Sequence, residues 1–120
     1  MMTQIVYWFA NGATGPSDTD HIPDRPYANS RSDSITVEIT GTFSGANVVF
    51  EGKADSEGTT WFPLSAIYWS GGEPQIVTAA TAAGDYAVLG VEGMKLFRAR
   101  LTALSSGAIT IKGNCVSTGE

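Results

Sequence analysis

A long alternating stretch over residues 95–115 constrains this chain more than any other feature. Phe97, Ala99, Leu101 and Ala103 interleave with Arg98, Arg100 and Thr102. After Ser105-Ser106-Gly107 the alternation resumes, with Ile109, Ile111, Gly113 and Cys115 set against Thr110, Lys112 and Asn114. Period-two patterning marks half-buried strands. A three-residue hairpin loop favours a glycine in the left-handed conformation at its last position, so the stretch is expected to close as one β-hairpin. That register pairs Leu104 with Ala108, Thr102 with Thr110, Leu101 with Ile111, Arg100 with Lys112, Arg98 with Asn114 and Phe97 with Cys115. A one-residue slip would turn Arg98 and Arg100 toward the core, so the register is strongly specified. Such a hairpin is marginal alone, and a second layer must cover its apolar face.

The rest of the chain supplies that layer. Residues 5–10 (Ile5-Val6-Tyr7-Trp8-Phe9-Ala10) read as a first strand. Its consecutive apolar residues predict cover on both faces, by the core on one side and a neighbouring subunit on the other. Residues 35–40 alternate strictly, with Gly41 and Phe43 continuing the inward parity to a turn at Ser44-Gly45. The returning strand, residues 48–54, is expected to pair with them through an even-numbered loop that sets Ile39 beside Phe50 or Gly52. An odd loop would bury Glu51 unpaired, at a cost of several kcal/mol. Shorter strands follow at residues 59–64, with Trp61 as the expected core residue, then at 67–69, 75–80 and 85–89. The alanine-rich stretch 81–84 reads as a turn or one helical turn. About eight short strands, closely spaced and without a long amphipathic helix, predict an all-β chain. The expected form is a single antiparallel β-sandwich or jelly roll with a long N-terminal loop or arm. Residues 1–120 form one domain on this reading: 1–34 supply a first strand plus the arm, and 35–116 the sandwich body.

At 120 residues with 42% hydrophobic content, the chain can bury a core without disulfides or metal. The net charge of -5 disfavours non-specific nucleic-acid binding, which rests on neutralising phosphates. No run approaches the ~20 apolar residues of a membrane-spanning helix. The N-terminus lacks the basic start and apolar run of a signal peptide. Synthesis in a cytoplasm, without export by the usual route, is therefore expected.

Chemistry is sparse. Cys115 is the single cysteine and falls on inward parity, where a thiol behaves as a small apolar group. The single histidine, His21, lies far from it in a polar loop, residues 11–34, that is rich in turn signals. A loop of this length is usually functional or disordered. Asp18, Asp20, His21 and Asp24 cluster in it, but without a fixed backbone their spacing does not define a metal site. No phosphate-binding glycine loop, zinc spacing or nucleophile elbow occurs, and Asp55 and Glu57 share a solvated turn. No enzyme activity, cofactor or metal is expected.

Binding surfaces are easier to nominate. In a small sandwich a strand tryptophan usually belongs to the core. Tyr68-Trp69 is the exception, because adjacent strand residues point to opposite faces. If both are exposed, they form a candidate platform for a glycan beside Ser70-Gly71-Gly72. Arg98, Arg100 and Lys112 form an outward basic stripe. Like charges facing one another need compensation, either from Glu38 and Glu51 on neighbouring strands, the preferred reading, or from an acidic partner.

One pattern is familiar. Val37-Glu38-Ile39-Thr40-Gly41-Thr42-Phe43-Ser44-Gly45 is followed by Val49-Phe50-Glu51-Gly52-Lys53-Ala54-Asp55 and Thr59-Thr60-Trp61-Phe62-Pro63-Leu64. The series closes with Val91-Glu92-Gly93-Met94-Lys95-Leu96-Phe97-Arg98-Ala99-Arg100-Leu101-Thr102-Ala103-Leu104-Ser105-Ser106-Gly107-Ala108-Ile109-Thr110. Over residues 35–111 this resembles a recurrent β-sandwich module of tailed-bacteriophage virion proteins, found in head decoration proteins, head fibres and tail or baseplate proteins. Lys53-Ala54 departs from the module's usual serine and small or apolar residue, and residues 1–34 fall outside the resemblance. It implies a structural role in the virion. The expected form is a capsid decoration or cement protein, a symmetric dimer or trimer bound to the major capsid protein or other virion proteins. A carbohydrate-binding module of a head or tail fibre, reading host glycan, and a tail or connector protein are the alternatives. The first strand and the long loop are the expected contact elements. The candidate partner-binding residues are Tyr7, Trp8, His21, Tyr27, Arg98, Arg100 and Lys112.

Overall fold

The computed structural model describes residues 3–16, 34–54, 60–70, 72–91 and 96–117. The strands are β1 (Thr3–Ala13), β2 (Ser34–Ser44), β3 (Asn47–Lys53), β4 (Phe62–Leu64), β5 (Ala66–Ser70), β6 (Glu73–Val77), β7 (Ala79–Ala80), β8 (Gly84–Val88), β9 (Leu96–Ala103) and β10 (Ser106–Ser117). They build two antiparallel sheets packed as a sandwich. The larger has six strands in the order β1-β10-β2-β8-β5-β6. In the smaller, β9 lies along one side of β3 while β4 and β7 share the other side.

Alternation sets which residues turn inward. Ile35, Val37 and Ile39 from β2, Val48 and Phe50 from β3, Phe97, Ala99 and Leu101 from β9, and Ile109 and Ile111 from β10 are all buried in one core. The intervening Thr36, Glu38, Glu51, Arg98 and Lys112 stay on the outside or near it. Phe9 enters the same core from β1 at an irregularity between Trp8 and Ala10 and meets Phe97 edge to face, with centroids 5.7 Å apart. Gly113 makes room for it: a Cβ there would stand 2.6 Å from Phe9 Cε2.

The expected hairpin does not form. β9 pairs with β3 in the small sheet, whereas β10 pairs with β1 and β2 in the large one. The 104–105 connection is therefore an arch that crosses the sandwich. Phe97 and Leu101 face Ile109 and Ile111 across the core instead of lying beside them. Inward parity over residues 97–101 and 109–113 is identical in the two arrangements, so alternation there cannot separate them. Leu104, expected on the outer face, packs against the core.

A second arch joins β2 to β3. Ile39 pairs with Ile111 and Gly84, and Phe50 with Ala99 and Leu64, so the expected pairing of these two strands is also corrected. Glu51 nevertheless faces outward, as the cost of burying it requires.

The two arches are bonded together. Ser105 N donates to Ser44 O at 3.0 Å, the Ser44 and Ser106 hydroxyls lie 2.7 Å apart, and Asn47 Nδ2 donates to Thr102 Oγ1 at 2.7 Å. Gly107 has the positive φ expected of it, 89°, but for a different reason. It lies against β2, where a Cβ would collide with the Thr42 carbonyl and stand 2.6 Å from Phe43 Cα. The expected strand over residues 75–80 divides at Thr78, giving β6 to the large sheet and β7 to the small one. Residues 82 and 83 form a bend, and residues 81–83 make no helical turn.

Candidate functional site

With the interior filled by apolar side chains, the chemistry of the described residues lies on the two outer faces. On the small sheet, β3 and β9 place Glu51 opposite Arg98, with Arg100 two residues further along. Arg98 Nε donates to Glu51 Oε1 at 2.6 Å. Arg100 donates from Nε to the same oxygen at 3.1 Å and from a terminal nitrogen to Oε2 at 3.2 Å. Burial pushes the Glu51 carboxyl up, but hydrogen bonds from Arg100 and Arg98 outweigh it and hold the group below its ordinary range. The same contact with Glu51 raises Arg100 further. Trp61 completes the cluster, with the Arg98 guanidinium 4.1 Å and Lys53 Nζ 5.1 Å from its ring centre. Both distances suit cation–π attraction. Trp61 is thus a half-buried outer-face residue and not the core residue expected from the sequence. Its place among Lys53 and Arg98 depends on β4 pairing with β3, which spacing along the chain does not reveal.

The outer face of the large sheet reads as two rows. One runs Val6–Asn114–Thr36–Ala87–Ile67–Ile76 across all six strands, and the other includes Trp8–Lys112–Glu38–Asp85. Lys112 Nζ lies 3.2 Å from Glu38 Oε1 and 5.3 Å from the centre of the Trp8 ring. Trp8 is 53% exposed. At the other edge Trp69 pairs with Pro74 and Ile67 with Ile76, leaving Trp69 59% and Ile76 72% exposed. Trp8, Trp61 and Trp69 all face outward; of the three, Trp61 is the one named as a core residue from the sequence.

Tyr68 and Trp69 part company as adjacent strand residues do. Tyr68 turns inward and stacks on Tyr86 at 4.6 Å. Its hydroxyl donates to the Ala83 carbonyl at 3.3 Å, and that of Tyr86 donates to the Ala82 carbonyl at 2.7 Å. The proposed two-ring glycan platform is therefore corrected to Trp69 alone.

The basic stripe is corrected as well. Because β9 and β10 lie in different sheets, Arg98 and Arg100 are on one outer face and Lys112 on the opposite one. Each group has its own carboxylate, Glu51 or Glu38, in line with the preferred intramolecular compensation. Register places Tyr7 opposite Gly113. His21 and Tyr27, and the cluster of Asp18, Asp20 and Asp24, lie outside the described residues. Ile76 and Lys53 escaped the sequence reading: an isolated isoleucine on an edge strand and a single lysine carry no signal until their neighbours are known.

Fold and surface together define a small antiparallel β-sandwich with an ordered charged and aromatic face on each side. The chain belongs to the XepA family, whose model matches residues 8–115. That match begins at Trp8 and so takes in the second half of the first strand, which the phage-module resemblance left out. Among solved structures, YomS, a protein derived from the SPBc2 prophage, superposes with a TM-score of 0.77 at 20% identity, over 98% of this chain and 96% of YomS. The PBSX exported protein XepA superposes with the same TM-score at 18% identity, over 97% of this chain but only 38% of XepA. These likenesses establish the shared sandwich fold. No curated protein sequence matches the chain.

Proposed function

We propose that this chain is a non-enzymatic, phage-encoded structural protein that acts by binding other virion proteins, in the form of a capsid decoration protein. The observation that carries this reading is the ordering of polar and aromatic side chains on the outside of a sandwich whose interior is apolar. Long side chains immobilised at a surface lose rotamer entropy, and exposed ion pairs return little stability. A surface built this way suits recognition. Family membership and the prophage origin of YomS support a phage context.

Purified particles made with and without the protein test the reading. Wild-type particles should carry it at a fixed ratio to the major capsid protein, and particles lacking it should lose external head density and heat resistance. Normal heads without it, or its absence from purified particles, would overturn the decoration role.

A second reading, a glycan-binding module, is favoured by the exposed Trp69 ring beside Pro74. The exported status of XepA is compatible with binding outside the cell. Glycan-array binding that disappears in Trp69→Ala would select it.

A further inference from the structure

We infer that β9 is a docking edge for an extended, acidic segment of a protein partner, which adds to the small sheet as an antiparallel strand beside Arg98 and Arg100. Among the described residues five strands bound the two sheets, and four of them are blunted. β1 carries two register irregularities. β6 contains Pro74 and β4 contains Pro63, residues that cannot donate to a ladder. β7 is two residues long. β9 is different. It runs eight residues without proline and pairs in regular register with β3 from Leu96↔Lys53 to Leu101↔Val48. Among the described residues no strand pairs with its other side. Natural proteins usually disable such an edge, because its free N–H and C=O groups template another strand.

Charge commonly serves as that disabling device, and here Arg98 and Arg100 are held away from the task. Glu51 on β3 draws both guanidinium groups over the sheet and Trp61 lies against that of Arg98, so neither covers the backbone of the edge, while both stay on the face that an added strand would extend. Three of the four lysines and arginines among the described residues, Lys53, Arg98 and Arg100, sit on this face with Glu51, in a chain of net charge -5. Arg98 and Arg100 share a face two residues apart, so they meet alternate residues of an added strand. An acidic residue at every second position therefore matches the edge in both backbone and charge. Strand addition of this kind draws affinity from main-chain hydrogen bonds and specificity from alternate side chains. A nucleic acid offers only the charge.

The inference rests on the reading of the chain as a binding module, but not on where its partner resides. Peptide binding and incorporation into particles can therefore fail independently.

The test uses the full chain, isotopically labelled, titrated with a capped eight-residue peptide alternating Asp and Val. Thr/Val and Lys/Val peptides and inorganic triphosphate serve as comparisons. We expect the Asp/Val peptide to bind at least tenfold more tightly than Thr/Val, and the Lys/Val peptide not to bind. Exchange of alternate β9 amides should slow in the complex. Arg100→Gln, which leaves Arg98 paired with Glu51, should erase most of the preference for Asp. Equal binding of Asp/Val and Thr/Val, shifts that map to the large sheet, or triphosphate binding without β9 protection would each overturn the inference. So would full protection of every β9 amide in the free protein, which would mean that the chain or a second copy already covers this edge.

Discussion

Glu51 is the residue on which the outer face of the small sheet turns. It accepts hydrogen bonds from two arginines and aligns one of them over Trp61. Its pKa in the folded protein lies below the ordinary glutamate value of about 4.3, because bonds to Arg100 and Arg98 prevail over burial. A lowered folded pKa means that the stabilisation is complete above the unfolded value and is lost as pH falls through the folded one. Glu51→Gln should therefore cost about 1–2 kcal/mol at neutral pH, the scale of a charge-assisted, partly screened network. The gap between wild type and variant should stay constant down to roughly pH 5 and shrink below about pH 4. Urea denaturation at several pH values measures it. A gap independent of pH would locate the loss in packing and remove the carboxylate from the account.

At the scale of elements, the two arches decide what the strands can do. If β9 and β10 formed a hairpin, Arg100 would face Lys112, like charge against like. The arches instead send each basic group to a different sheet, where a carboxylate waits on the adjacent strand. Engineered cysteine pairs distinguish the two topologies. Thr110→Cys with Thr40→Cys should cross-link under mild oxidation, because these positions are directly paired. Thr110→Cys with Thr102→Cys, the hairpin pair, should not, because those strands lie on opposite sides of the core. Peptide mapping reads the outcome and separates it from oxidation of Cys115. Cross-linking of the second pair would restore the hairpin.

Across the whole molecule, the two faces divide the labour of the aromatic residues. Core aromatics such as Phe9, Phe50, Phe97 and Tyr86 hold the layers together, while Trp8, Trp61 and Trp69 are turned outward. Trp69→Ala should change stability by less than about 0.5 kcal/mol, as exposed substitutions do. Tyr68→Ala, one residue earlier, should cost about 2–3 kcal/mol through the lost stack on Tyr86. Thermal or chemical denaturation of the two variants checks the contrast. Comparable losses would mean that Trp69 is covered, and would take the exposed ring away from the glycan reading.

Alternation determined the inward residues over the central parts of the long strands. Ile35, Val37, Ile39, Phe97, Leu101, Ile109 and Ile111 are buried as their parity requires, and Glu51 is outside because an unpaired buried carboxylate is too costly. The antiparallel all-β class follows from the same short, closely spaced segments. Parity, however, states only that a side chain faces the core, not from which sheet. The separation of β9 from β10, the division of the basic stripe, the outward placement of Trp61 and the place of β9 at the margin of the described small sheet were all decided by tertiary pairing. Each depends on which strand lies alongside, a contact between residues distant in sequence that no local pattern encodes.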